Sequence, residues 1–406
     1  MAAVTGILLI TFYASYYVAM LFAVKRPTEK VAGQKQVFRQ VSVIIPTYNE
    51  ERNISAKIEN VLKQSYLKNF TEIIVMDGAS TDNTIKIAND LANKVRGVVP
   101  MRVLTIDERR GKSHQINIAL IEARGEIIVT TDADVLLDPD AVARLIGHFD
   151  DEHVGAVSAR QSLIKGRSIQ TDFEQQYRDI YEIMRQGESN LHSTPIFHGG
   201  LCAFRTAIVK PIREDLNADD SQLAIQAIRG GLRALYEPSS VFYAYAPQVT
   251  RSAWWQRVRR GQGLVRTFLY NSDMLFRRRF GSYGCFIFPA EFFMHIVSPI
   301  LTLMFIAASI GSVAAFLSDF VLTPLLPAIA VLVAIMLGIV MVSRLEKRPL
   351  SGTWALIPSF VIYQLALFTA MLMFLAGKRL YIWRKLDEGT TRVADLNHRR
   401  RPRAEI

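Results

Sequence analysis

Residues Gly125 to Pro139 read GEIIVTTDADVLLDP. An apolar, β-branched run closes on Thr130 and Thr131 and then on two carboxylates, Asp132 and Asp134, one residue apart. A strand buried on both faces of a sheet has few places for charge, and the crevice outside its carboxyl end is where open α/β sheets bind ligands. In an extended segment Asp132 and Asp134 leave the chain on one side, with Ala133 pointing away. Hard oxygen ligands of this kind suit Mg2+ or Mn2+, which take one or two carboxylates and let a substrate diphosphate fill other positions. The same residues equally suit a solvated turn with helix-capping aspartates. Their surroundings decide between the two.

Outward from this stretch, apolar strands alternate with helical stretches between Val41 and Ser158, the pattern of a doubly wound parallel sheet in the α/β class. Val41 to Ile45 is the first expected strand, stopped by Pro46. Glu51 to Gln64 is an expected helix, with Ile54, Ile58, Val61 and Leu62 on one stripe. Glu72 to Met76 makes the next strand and runs into Asp77-Gly78-Ala79-Ser80-Thr81-Asp82, whose last two residues can cap a helix from Asn83 to Leu91. Met101 to Thr105, Ser113 to Ala123 and Glu126 to Thr131 are the following strand, helix and strand. Thr47, Asn49, Glu50, Asp77, Lys112, Asp132 and Asp134 therefore follow strands at their carboxyl ends or open the next helix, which implies one shared crevice. No G-x-G-x-x-G follows the first strand and no G-x-x-x-x-G-K-[ST] occurs, so dinucleotide dehydrogenases and P-loop NTPases lose their main support.

The 406 residues are 50% hydrophobic with a formal charge of +11, which fits one large soluble domain plus membrane segments better than two soluble domains. From Ala2 to Val24 no residue is charged, enough to cross a bilayer core that needs about 20 helical residues. No basic region precedes it, whereas Lys25, Arg26 and Lys30 follow. That flank predicts an external N-terminus and a cytosolic catalytic domain. A second apolar block divides into Phe286 to Leu317, Phe320 to Val342 and Trp354 to Leu375, making a multi-pass protein of the cell membrane. Pro289 and Pro299 are expected to split the first of these into an interfacial and a spanning helix. Three straight passes leave the basic tail outside, and a re-entrant segment around Pro299 would return it to the cytosol. Two cysteines, Cys202 and Cys285, make no disulfide framework. From Arg251 to Phe280 there are eight Arg against one acidic residue, Asp273, which suits a basic face against anionic lipid more than a nucleic-acid surface, since no recognition module accompanies it.

The remaining motifs each have two readings. Asp77 at a strand end can bind a nucleobase or cap a turn. Gly111-Lys112 opens a helix whose N–H groups and ammonium can meet a diphosphate, or Lys112 is a surface lysine. Phe197-His198-Gly199-Gly200 admits a ligand close to the backbone, or is a plain turn. Asp219-Asp220 precedes the amphipathic stretch Ser221 to Ile228, where Asp220 can serve as an N-cap. Gln256-x-x-Arg259-Arg260 can clamp phosphate charge or form cationic surface.

In order and spacing, Val43-Ile-Ile-Pro-Thr-Tyr-Asn-Glu50, Asp77-Gly-Ala-Ser-Thr-Asp82, Gly111-Lys112, Asp132-Ala-Asp134, Asp219-Asp220 and Gln256-x-x-Arg259 resemble the membrane-bound family-2 glycosyltransferases, both glucosylceramide-synthase-like and polysaccharide-synthase-like. The resemblance implies a GT-A fold, a doubly wound mixed sheet, with α-helical transmembrane segments added. It implies an anchor at 1–24, a linker at 25–40, a catalytic domain at 41–263, an interfacial basic segment at 264–285, a membrane region at 286–376 and a basic tail at 377–406. It also implies that Asp77 contacts the base of a UDP- or GDP-linked sugar, with Pro46, Tyr48 and Glu50 lining the nucleoside pocket and Lys112 nearby. Asp132 neighbours the ribose and diphosphate, Asp134 binds Mg2+ or Mn2+, and Gln256 and Arg259 hold the diphosphate. Asp220 is the implied general base, with Gly199, Gly200, Asp219 and Arg260 on the acceptor side. The family's last motif ends in Trp where Arg260 stands here, which counts against long-chain polymerisation. A base is needed for a hydroxyl acceptor and not for an anionic phosphate. The resulting expectation is inverting transfer to a hydroxyl of a membrane lipid or lipid-linked glycan. A processive polysaccharide synthase and a polyprenyl-phosphate glycosyltransferase are the alternatives.

Overall fold

The computed structural model describes residues 2–25, 38–164, 169–245, 250–319, 356–378 and 380. The chain divides into two compact units, one comprising Met1–Pro27, Arg167–Glu188 and Trp254–Lys378, the other Thr28–Gly166, Ser189–Ala253 and Arg379–Ile406.

The second unit is built on strands β1 (Val41–Thr47), β2 (Phe70–Asp77), β3 (Met101–Thr105), β4 (Ile127–Thr130), β5 (Leu136–Leu137), β6 (Val154–Ile164), β7 (Cys202–Arg205) and β8 (Arg233–Tyr245). Its helices are α2 (Ile54–Leu62), α3 (Thr84–Lys94), α4 (Lys112–Glu122), α5 (Ala141–Ile146) and α7 (Asp219–Arg229), whereas α1 (Ala2–Val24) and most of α6 (Ile169–Leu191) belong to the other unit. The sheet has eight strands in the order β3-β2-β1-β4-β7-β6-β8-β5. Its first half is parallel, as the alternation of strands and helices requires. Beyond β4 it becomes mixed: β7 is antiparallel to β4 and β6, β8 runs parallel to β6, and β5 antiparallel to β8.

Every residue of β1 is buried, and the two-residue period of a strand divides them between two cores. Val43 and Ile45 pack with Ile54, Ile58 and Val61 of α2 and Ala88 of α3, while Ile44 meets Ile74, Met76, Ile128 and Ala119 of α4. Each such aliphatic side chain contributes about 1.5–3 kcal/mol by leaving water.

Two local expectations are corrected. Pro46 does not stop β1, which runs on to Thr47 paired with Asp77. The ladder to β4 ends at Ile44 opposite Thr130, and Pro46 faces that same side by alternation, so its missing N–H deprives no partner. The segment after β4 is not extended: a turn occupies Ala133 and Asp134. Ala133 is buried in the core, as the alternation expected, while Asp132 is half-buried and Asp134 exposed.

In the other unit, three helical stretches among the described residues are long and apolar enough to cross a membrane: Ala2–Val24, Tyr283–Ser312 and Ile357–Leu375. This unit also holds most of α8 (Thr250–Tyr270), together with α9 (Phe288–Phe292), α10 (Ser298–Asp319) and α11 (Leu356–Leu375). Polar groups link the apolar helices, since the Tyr13 hydroxyl lies 3.1 Å from Ser298 Oγ and accepts from Gln364 Nε2 at 3.0 Å. Pro289 and Pro299 do not split the Tyr283–Ser312 stretch. Each follows a wider π-helical turn, Tyr283–Ile287 and Phe293–Val297, and such turns absorb the break a proline makes in the helical ladder. The expected segment Phe320 to Val342, the charged stretch after it and the basic tail from 381 lie outside the described residues.

Candidate active site

The carboxyl ends of β1, β2 and β4 open on one side of the sheet, and the turns that leave them carry most of the residues singled out above. Gly111, at φ 98°, takes a backbone conformation that favours glycine and ends the loop from β3. Lys112 then opens α4, and its ammonium reaches Asp132 Oδ1 at 2.7 Å and Asp219 Oδ2 at 3.2 Å. Asp219 and Asp220 form the first turn of α7, with Ala218 at the N-cap, so Asp220 is not the cap residue. Asp220 Oδ1 instead accepts the N–H of Ser221 at 2.9 Å. Gly199 faces this group: a Cβ added there would lie 2.9 Å from Lys112 Nζ, 3.5 Å from Asp220 Oδ2 and 3.8 Å from Asp132 Oδ2. The glycine leaves a gap lined by one ammonium and two carboxylates. At Gly200 a Cβ would collide with the Phe242 ring, which fixes the turn from behind.

The charges of the cluster are strongly coupled. Burial alone would lower the Lys112 pKa, yet Asp132, Asp219 and Asp220 raise it well above the ordinary lysine range. Asp134 can be reached by solvent but is surrounded by protein, and this desolvation with the like charges of Asp132 and Glu50 pushes its carboxyl up to about 7. A divalent cation at this crowded carboxylate would relieve the repulsion. Among the described residues no group of three His, Cys, Asp or Glu side chains could by itself hold a metal ion. Asp134 with Asp132 beside it offers the one or two carboxylates that an ion also bound by a diphosphate takes from a protein.

Beside this cluster lie the turns after β1 and β2. The Tyr48 ring is covered by the Arg109 guanidinium, 3.7 Å from its centroid. Glu50 Oε2 accepts from Asn53 Nδ2 at 2.7 Å, and the Glu50 N–H donates to Thr84 Oγ1 at 2.7 Å. Pro46 is buried in β1. Asp77 is fully buried and caps its own turn, accepting from the Ser80 N–H at 2.8 Å and from the Ser80 hydroxyl. Gln256, Arg259 and Arg260 lie on α8 in the other unit, the first two half-buried one helical turn apart and Arg260 exposed.

Residues 42–213 match the family model described as glycosyl transferase family 2. Residues 42–213 are therefore a glycosyl transferase family 2 region of this chain. The chain is 26% identical over 272 residues to a probable glycosyltransferase of Bacillus subtilis and 25% identical over 228 residues to a poly-beta-1,6-N-acetyl-D-glucosamine synthase of Staphylococcus aureus. These matches cover 65% and 55% of this chain, and the chain spans only 64% and 54% of those relatives' length. Its structure is similar to a mannosyltransferase from Pyrobaculum calidifontis solved with GDP-Man and Mn2+, at a TM-score of 0.73 and 29% identity, over 93% of this chain and all of that one.

The site also holds polar residues to which the sequence assigns no role. Lys57, on the apolar stripe of α2, is fully buried and donates to Thr131 Oγ1 at 2.7 Å and to the Val135 carbonyl at 3.1 Å. Its place three residues after Ile54 and four before Val61 is the signal that it faces the core. Gln115 Nε2 donates to the carbonyls of Thr47 at 2.7 Å and Met76 at 2.9 Å, joining the ends of β1 and β2. Nothing in the local sequence marks Gln115 for that position.

Proposed function

We propose that this glycosyltransferase is a metal-dependent, inverting enzyme that moves a sugar from a GDP- or UDP-linked donor to a hydroxyl acceptor held at the membrane. The observation that carries this reading is the convergence of Lys112, Asp132 and Asp220 on the gap left by Gly199, with Asp219 paired to the same ammonium. Displacement at an anomeric carbon needs a base on one face and charge neutralisation of the departing diphosphate on the other. In this reading Asp220 takes the acceptor proton, the acceptor oxygen bonds to the anomeric carbon, and the bond from that carbon to the diphosphate breaks. One displacement gives inversion. Lys112 and Asp132 border the diphosphate, and the family resemblance gives Gln256 and Arg259 a phosphate-holding role. Pro46, Tyr48, Glu50 and Asp77 form the nucleoside side, where a base that approaches Tyr48 meets the Arg109 guanidinium. Gly199, Gly200 and Asp219 border the acceptor, and the family resemblance gives Arg260 an acceptor-side role.

Asp134 would hold Mg2+ or Mn2+, which when bound stabilises the charge of the leaving diphosphate by several kcal/mol. Its crowding by Asp132 and Glu50 supports this, as does the Mn2+ in the similar mannosyltransferase. The three apolar stretches support a protein of the membrane and an acceptor that is a lipid or lipid-linked glycan. The catalytic unit is assigned to the cytosol by the positive flank after Val24. Polymer synthesis is the second reading, favoured by the match to the poly-beta-1,6-N-acetyl-D-glucosamine synthase. Nucleotide release from a panel of GDP- and UDP-sugars, with mass spectrometry of the membrane lipids, separates the two. A single added sugar on a lipid supports the first, a ladder of products the second, and no release from any donor would refute both.

A further inference from the structure

We infer that Lys57 is a positioning residue that sets the spacing between the two walls of the crevice through a buried line of hydrogen bonds, Lys57 to Thr131 to Gly200. The inference rests on the donor-site reading above. Taking an ammonium out of water costs several kcal/mol, and a lysine on the core stripe of a helix needs a compensating arrangement. Methionine has a similar length at far lower desolvation cost. The Lys57 ammonium donates to Thr131 Oγ1 at 2.7 Å and to the Val135 carbonyl at 3.1 Å, and these atoms are the two ends of the turn that carries Asp132 and Asp134. A cation that grips both ends shortens the path between them, which explains why this segment is a turn rather than a continuation of β4.

The line does not stop there. Thr131 Oγ1 donates to the Gly200 carbonyl at 2.7 Å. A threonine hydroxyl has one proton, and with that proton committed to Gly200 it must accept from Lys57, so the direction of the line is fixed. Gly200 follows Gly199, whose missing side chain leaves the gap beside Lys112 and Asp220. Lys57, from α2, thus connects the Asp132–Asp134 turn to the turn across the crevice without touching the crevice itself. Outer partners of this kind tune metal affinity by about 10–100-fold when removed.

The test uses the full chain in lipid nanodiscs, with Mn2+ binding read from the paramagnetic resonance of the free ion in the presence of GDP and, separately, of UDP. Lys57→Met is expected to weaken Mn2+ binding at least tenfold and to lower kcat. Thr131→Val is expected to do the same, and Thr131→Ser, which keeps the hydroxyl, to stay near the wild type. Wild-type Mn2+ affinity in a folded Lys57→Met or Thr131→Val protein would overturn the inference, as would equal losses in Thr131→Val and Thr131→Ser. If Lys57→Met does not fold, the Thr131 pair decides alone. Asp134→Ala in the same measurement keeps the two levels apart. Undiminished binding there refutes the donor-site reading itself, whereas binding lost in Asp134→Ala but kept in Lys57→Met refutes only the line of hydrogen bonds.

Discussion

The turn from Thr131 to Val135 meets a lysine on each side, and the two ammonium groups sit in opposite electrostatic conditions. On the crevice side, Lys112 is drawn into ion pairs with Asp132 and Asp219, and these with Asp220 hold its pKa well above the ordinary range against the effect of burial. On the buried side, Lys57 is bonded to neutral oxygens of Thr131 and Val135, and burial brings it down to about 7 despite the attraction of Asp132 and Asp134. Burial acts on both, so the difference lies in the charge and nearness of their partners. The crevice keeps a permanent cation where a diphosphate would sit, and the interior keeps a conditional one where geometry is set.

The strongest way to break this picture is at the carboxylate facing Lys112. Asp220→Asn is expected to lower transfer by about 10²–10⁴-fold, the usual contribution of a positioned base, while binding of GDP or UDP with Mn2+ stays within measurement error. Wild-type transfer in that variant would remove Asp220 from the chemistry. Next in size is Lys112→Met, which leaves Asp132, Asp219 and Asp220 without the ammonium between them. It should cost about 1–3 kcal/mol in chemical denaturation of the solubilised protein, and Mn2+ should restore part of that loss. No recovery with the ion would argue that Lys112 and the metal do not serve the same carboxylates.

The smallest effect sharpens the contrast from the other side. The folded-state pKa of Lys57 is depressed from 10.5 to about 7, so between those pH values the unfolded chain binds more protons and stability rises with pH. The slope is at most about 1.4 kcal/mol per pH unit, and it vanishes below the folded-state pKa, where both states are protonated. Lys57→Met should lack it. Denaturation of the two proteins at pH 6, 8 and 9, on the order of these values, should show a difference that changes only above neutrality. A constant difference would mean that Lys57 is fully charged when folded.

How much of this could be read from sequence depended on whether neighbours along the chain or across the fold set each residue's role. The parallel half of the sheet was legible because β1 and β4 are buried throughout, β2 is buried from Glu72 to Asp77, and β3 falls on Met101–Thr105 as expected. The mixed half came only through the family resemblance. β8 contains Arg233, Glu237 and Pro238, and its pairing with β6 shifts register where Glu237 faces Ala159 and Val241 faces Arg160, so no clean alternation marks it. Lys112, Asp132, Asp219 and Asp220, which the fold brings together, could be singled out because each stands at the end of an element, where charge has to be explained. Lys57 and Gln115 were not, because a polar residue inside a helix gives no local sign of which carbonyl it will meet. The turn at Asp132 was misread as extended for the same reason, its shape being tied to Lys57 from 74 residues away in sequence.

In the proposed site, the crowded carboxylates at the end of β4 hold a divalent ion together with a donor diphosphate. The most direct measurement is the amount of Mn2+ bound by the wild type and by Asp134→Ala, with and without GDP or UDP. Nucleotide is expected to strengthen ion binding greatly in the wild type, and Asp134→Ala to abolish this gain. Equal binding by both proteins in the presence of either nucleotide would contradict it.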